Sequence, residues 1–109
     1  MSDVNEWIDS VVKGNDVVLF MKGTPEAPQC GFSSRVTQIL SHMQVPFQAV
    51  NVLENGALRE GIKAFSDWPT IPQLYVKGEF VGGCDIVTEL FQSGELKKTM
   101  EDGGVAIEA

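Results

Sequence analysis

Lys22-Gly23-Thr24-Pro25-Glu26-Ala27-Pro28-Gln29-Cys30-Gly31-Phe32-Ser33-Ser34 is the stretch on which the fold turns. Before it stands an unbroken apolar run, Val17 to Met21, and after it Val36, Ile39, Leu40 and Met43 recur at helical spacing. The segment therefore reads as the end of a buried strand, a proline-bounded loop and the start of a helix, with the Cys30 thiol at the junction. The first turn of a helix carries unpaired N–H groups and a partial positive charge, and both favour a thiolate. A lone cysteine also packs well as a small apolar residue, but a polar loop between prolines offers little for it to pack against.

Working outward, Val4, Trp7, Ile8, Val11 and Val12 mark an amphipathic helix with Trp7 in the core, closed by Gly14-Asn15. Beyond the thiol, a helix from about residue 31 to 44 ends on the approach to Pro46, and Phe47 to Val52 alternates as a second strand. Two strands joined by one helix make a right-handed parallel unit. Asn55 is placed to cap a third helix with Leu58, Gly61, Ile62 and Phe65 inward and Arg59, Glu60 and Lys63 outside or at its edge. Trp68-Pro69-Thr70-Ile71-Pro72 cannot continue that helix; Gln73 to Val76 is a strand, Lys77-Gly78 a hairpin turn and Phe80-Val81 the return. Gly82-Gly83 ends it, and Asp85 is placed to cap a helix with Ile86, Val87, Leu90 and Phe91 inward. A break at Ser93-Gly94 precedes a shorter helix holding Leu96 and Met100, and the tail, 103–109, is expected to fray. This order is the thioredoxin-like plan: an α/β fold with a four-stranded mixed sheet and helices on both faces, one domain over 1–109 with its core from about 5 to 100.

Composition removes several function classes. Eight basic against fifteen acidic residues leave a net charge of -7, so neither nucleic acid nor an anionic membrane is an expected partner. No run approaches the roughly 18 apolar residues of a membrane span, and Met1 to Glu6 has neither a basic head nor an apolar signal core. The expected compartment is a cytoplasm of bacterial type, or a mitochondrial matrix or plastid if a transit peptide has been removed. Cys30, Cys84 and His42 are too few for a tetrahedral zinc site or a secreted disulfide framework, which points to free thiols in a reducing interior.

Cys30-Gly31-Phe32-Ser33 is preceded by Met21-Lys22-Gly23-Thr24-Pro25 and followed by Trp68-Pro69-Thr70-Ile71-Pro72-Gln73 and Gly82-Gly83-Cys84-Asp85. Together these motifs resemble the monothiol glutaredoxin family of the single-domain CGFS type, in one register over about residues 5 to 100. The resemblance implies a glutathione-binding thioredoxin fold that assembles 2Fe-2S clusters and passes them on, with BolA-like proteins and iron-sulfur acceptor proteins as partners. It also implies that Lys22 and Arg59 meet the glycyl carboxylate of glutathione.

The residues support a compatible chemistry. Ser33 stands where a dithiol redox motif has its resolving cysteine, and serine cannot close a disulfide. The second thiol must come from outside, and glutathione is the natural donor in a reducing compartment. A serine so early in a helix can also satisfy a local N–H. A glutathione site needs cations, anion-binding backbone and a main-chain edge. Lys22 ends the first strand, Arg59 and Lys63 are i and i+4 neighbours, and Arg35 falls in the same region. A cis Ile71-Pro72 bond would aim the Ile71 main chain at the cysteinyl part of the tripeptide. Gly83 lets backbone come close, the helix start at Cys84 and Asp85 offers N–H groups to the γ-glutamyl carboxylate, and Asp85 takes the ammonium.

A 2Fe-2S cluster needs four ligands, and Cys30, the one metal ligand expected here, with one bound glutathione supplies two per chain. A homodimer when loaded and a monomer when empty satisfy that arithmetic. Cys84 has three open roles: a metal ligand, a disulfide partner for Cys30, or a small residue packed behind Gly83. The activity is that of a cluster carrier or, alternatively, a glutathione-dependent thiol-disulfide oxidoreductase that removes glutathione from protein thiols through Cys30. Catalysis in the first case is at most weak. His42 is expected to be exposed, Phe20 and Phe65 buried, and Trp68 at the border of the site.

Overall fold

The computed structural model describes residues 2 to 105. In chain order the elements are α1 (Ser2–Gly14), β1 (Val17–Met21), α2 (Gly31–His42), β2 (Gln48–Asn51), a 3-10 turn (Val52–Glu54), α3 (Gly56–Ser66), β3 (Gln73–Val76), β4 (Glu79–Gly82), α4 (Cys84–Ser93) and α5 (Glu95–Asp102). The sheet runs β2-β1-β3-β4, with β1 parallel to β2 and antiparallel to β3, and β3 antiparallel to β4.

β1 is central, and its five residues are all buried, which is what its unbroken apolar run requires. Alternation along the strand divides the core in two. Val17, Leu19 and Met21 pack with Val36 and Leu40 of α2, Val87 of α4 and Leu96 of α5. Val18 and Phe20 pack on the other face with Ile8 and Val12 of α1, Ile62 of α3 and Tyr75 of β3. Phe20 meets Tyr75 edge-on at 5.6 Å. Burying each such large apolar side chain stabilises the fold by about 1.5–3 kcal/mol, so β1 is the element least able to move. The thiol loop leaves from its end.

Three expectations need correction. Trp7 is not core: it is 47% exposed. It lies on the far side of Val4 from Ile8 around the helix, and α1 docks on α3 through Val4 seated against Gly61. α2 ends at His42, before the approach to Pro46 acts, because Gln44 turns left-handed (φ 57°) and Val45 N–H bonds back to the Leu40 carbonyl. Asp85 does not cap α4; Gly83 does, in extended conformation, its carbonyl accepting the Val87 N–H at 2.9 Å. After Gly103-Gly104, Val105 is buried in the core, with its N–H on the Met100 carbonyl at 2.9 Å. The rest of the tail expected to fray, 106–109, lies outside the described residues. The second strand is also shorter than the alternation predicts, since Val52 already belongs to the 3-10 turn. His42 is exposed, its ring edge-on to Phe91 at 5.6 Å.

Candidate functional site

The loop between β1 and α2 is a closed clasp. Thr24 and Ala27 exchange main-chain bonds at 3.0 and 3.3 Å, and Gln29 N–H bonds to the Lys22 carbonyl at 2.9 Å. Closure depends on Gly23 at φ +91°, where a Cβ would stand 2.6 Å from both the Ala27 carbonyl oxygen and the Gln29 nitrogen. The chain is thereby returned so that Cys30 becomes the N-cap of α2, half-buried, with Ser34 N–H on its carbonyl at 2.9 Å.

Cys30 Sγ closes no side-chain cap bond. Even so, the nearby Ser33 N–H above all, with the Phe32 N–H, the Lys22 charge and the Ser33 hydroxyl, holds the thiol below its ordinary range, against partial burial, which raises it. Ser33 is fully buried, and its Oγ accepts the Lys22 N–H at 3.1 Å. The hydroxyl thus serves the end of β1 rather than an N–H of its own helix. Asn51 Oδ1 holds the next peptide, accepting the N–H groups of Gly23 and Leu53 at 3.0 Å each.

A groove of about 670 Å³ opens beside the sulfur. Its walls bring together Lys22, Cys30 and Lys63 with Ile71 and Pro72, and across from them Gly83, Cys84 and Asp85. The Ile71-Pro72 bond is cis, and both residues are buried. Arg59 is the one expected binding residue absent from this lining. It sits half-buried on α3, one turn before Lys63, and its Nε–H has no acceptor among the described residues. Lys63 pairs loosely with Glu60 at 3.7 Å, a partly exposed contact of small energetic weight that leaves the ammonium available. Arg35 lines instead an adjoining hollow that shares Cys30, Phe32, Cys84 and Asp85 with the groove and adds Thr88 and Glu89.

Gly83 sits in close approach: a Cβ there would lie 3.2 Å from Trp68 Nε1 and 3.3 Å from the Pro72 carbonyl oxygen, so a larger residue would need those neighbours to give way slightly. Trp68 borders the groove as expected, tilted against Phe80 at 5.7 Å, and its Nε1–H has no acceptor among the described residues. Cys84 lines the groove and packs against the core, and both cysteines are free thiols. The Cys30–Cys84 disulfide is therefore not formed here. Among the described residues no cluster of three or more His, Cys, Asp or Glu is placed to hold a metal ion, and no helix is long and apolar enough to cross a membrane.

Three contributors escape sequence reasoning. Phe32 stands 62% exposed beside the sulfur and lines the groove. Gln73 is fully buried and donates to the carbonyls of Trp68 and Thr70 at 3.1 and 3.2 Å, pinning the segment that carries the cis bond. An amide at the head of an otherwise apolar strand is a readable signal, since a buried amide must find partners. Asn51 left only a weak one, an Asx residue at a strand end.

The family described as Glutaredoxin matches residues 17–81 of this chain. Over 96 residues the chain is 57% identical to the probable monothiol glutaredoxin 2 of Rickettsia felis, a match covering 88% of this chain and 92% of that protein. It is also 57% identical over 99 residues to the chloroplastic monothiol glutaredoxin-S7 of Oryza sativa subsp. japonica, covering 91% of this chain but 59% of that longer protein. The solution structure of a monomeric truncated mutant of Trypanosoma brucei 1-C-Grx1 has the same fold, with a TM-score of 0.88 at 44% identity and 96% of each chain covered. A thiol loop built on a single cysteine, a family match over most of the sheet and this degree of identity lead to one conclusion: the chain belongs to the monothiol glutaredoxin family.

Proposed function

We propose that this chain binds glutathione in the groove beside Cys30 and, paired with a second copy, carries a 2Fe-2S cluster as cargo to acceptor proteins. The observation that carries the reading is the isolation of Cys30: Ser33, in the position of a resolving thiol, is buried and engaged with the Lys22 N–H. With no thiol at the resolving position of its own helix turn, a thiolate at a helix start recruits an external one. Lys22 and Lys63 offer charge to one carboxylate of glutathione, the Ile71 main chain pairs with its middle residue, and the start of α4 with Asp85 takes its γ-glutamyl end. Arg59 joins Lys22 at the glycyl carboxylate by turning its unpartnered Nε–H outward. A groove of about 670 Å³ suits a tripeptide.

The donor set is compatible with a shared cluster. Cys84 lines the groove but also packs against the core, at the start of α4 where the γ-glutamyl end of glutathione would sit, so in this reading each chain contributes Cys30 and glutathione supplies the second sulfur. When bound, the cluster would supply the bridge between copies, and the protein remains a monomer without it. BolA-like proteins and iron-sulfur acceptors are the partners this reading calls for, in a cytoplasm of bacterial type, or a mitochondrial matrix or plastid. The test is anaerobic reconstitution with iron, sulfide and glutathione. A coloured dimer is expected, and its formation without glutathione, or equally in Cys30→Ser, would end the proposal. Rapid turnover of a small glutathione mixed disulfide by a chain that fails to assemble the cluster would favour the oxidoreductase reading instead.

A further inference from the structure

We propose that Asn51 is a positioning residue for the glutathione groove: its side-chain oxygen holds the Gly23 N–H and so fixes the Lys22–Gly23 turn that presents the Lys22 ammonium to the ligand. The inference rests on the reading of that groove as a glutathione site. Asn51 is the last residue of β2 and stands in register with Met21, the last residue of β1. Beyond this pair the ladder stops, because β2 breaks into the 3-10 turn at Val52 while the chain leaves β1 through Lys22 and Gly23. Gly23 N–H would then lose the carbonyl that a longer β2 could have offered. Asn51 Oδ1 stands in for it at 3.0 Å, and the same oxygen accepts Leu53 N–H at 3.0 Å, anchoring itself to the turn.

The neighbouring main-chain groups are held as well. Lys22 N–H is on Ser33 Oγ at 3.1 Å, and the Lys22 carbonyl accepts Gln29 N–H at 2.9 Å. Lys22 is thus gripped from α2 on one side and from β2 on the other, and its side chain lines the groove with Lys63. Freeing Gly23 N–H releases one of the two grips. The other leaves the loop attached, so the consequence falls on the aim of Lys22 more than on the fold.

A double-mutant cycle tests this with glutathione itself as the probe, its binding measured by calorimetry on the full chain. Asn51→Ala is expected to weaken binding several-fold when Lys22 is present and to change it little in Lys22→Gln, because the aim of an absent ammonium cannot matter. Asn51→Asp, which keeps the acceptor oxygen, is expected to recover most of the loss. Equal losses in both backgrounds, or no recovery in Asn51→Asp, would overturn the assignment while leaving the glutathione reading intact. Absence of binding by the unmodified chain would sink the glutathione reading, and amide exchange at Gly23 then decides alone. Protection in the unmodified chain and in Asn51→Asp upholds the clamp. An unprotected Gly23 amide in the unmodified chain refutes it, even if Asn51→Ala does not fold.

Discussion

At the scale of single residues, Ser33 does two jobs with one oxygen. It denies the chain a second thiol, and from a fully buried position it satisfies the Lys22 N–H at 3.1 Å. Ser33→Ala leaves that N–H without a partner, so the variant should lose about 1–3 kcal/mol of stability, read from urea unfolding with the slope unchanged. Cys30 gives a pH signature whose sign follows from its lowered folded value. The unfolded thiol holds its proton up to about its ordinary 9.0, whereas the folded chain releases it earlier. Stabilisation from Cys30 is therefore complete above 9.0 and fades as pH falls through the lowered folded value. Denaturant titrations of Cys30→Ala across pH should show its largest deficit against the unmodified chain above pH 9 and its smallest in mild acid. A deficit independent of pH would mean that the thiolate is not favoured by the fold.

At the scale of elements, what was legible in the sequence was what is local. Five apolar residues in β1 dictate a strand covered on both sides, Asn55 caps α3 by accepting Leu58 N–H at 3.2 Å, and Lys77-Gly78 turns the hairpin. The motif residues Cys30, Lys22, Pro72 and Gly83 converge because each flanks an element at the same end of the sheet's strands. What was illegible is long-range or made of backbone. The Asn51 bond to Gly23 spans 28 positions, the cap of α4 is the extended conformation of Gly83 rather than a side chain, and Val105 is held by a core its sequence neighbours do not announce. The i, i+4 spacing of Arg59 and Lys63 fixes a shared helix side, but only the seating of α3 on the sheet decides that Lys63 lines the groove and Arg59 does not. The junction of β4 and α4 yields a test at this scale. Gly82 has φ +152°, and a Cβ there would lie 2.8 Å from the Ile86 side chain. Gly82→Ala should destabilise the chain by about 1–3 kcal/mol through the backbone strain and tilt α4 away from the groove, seen as a lowered thermal midpoint together with weaker glutathione binding.

At the scale of the whole molecule, charge sets two forces against each other. The chain carries -7, and a pair of copies would bring twice that together, so under the proposed function ligation of the cluster would have to drive association against mutual repulsion. Within the same acidic molecule Lys22 and Lys63 line one groove, so an anionic tripeptide is attracted locally by a protein that repels it at distance. Salt screens both interactions, with a Debye length of about 10 Å at 0.1 M and about 3 Å at 1 M. The repulsion acts across the separation of two whole chains, whereas a carboxylate at Lys22 sits within contact distance and inside a partly shielded groove, so the repulsion should be screened first. Raising salt from low values to about 0.1 M should therefore strengthen the loaded dimer, measured by sedimentation of the coloured species at fixed, saturating glutathione. Over the same range the affinity of the empty chain for glutathione should fall only modestly, and it should fall several-fold on going toward 1 M. A dimer that weakens from the first addition of salt would place attraction between the copies themselves, and the cluster would then reinforce an association the chains already possess rather than create it.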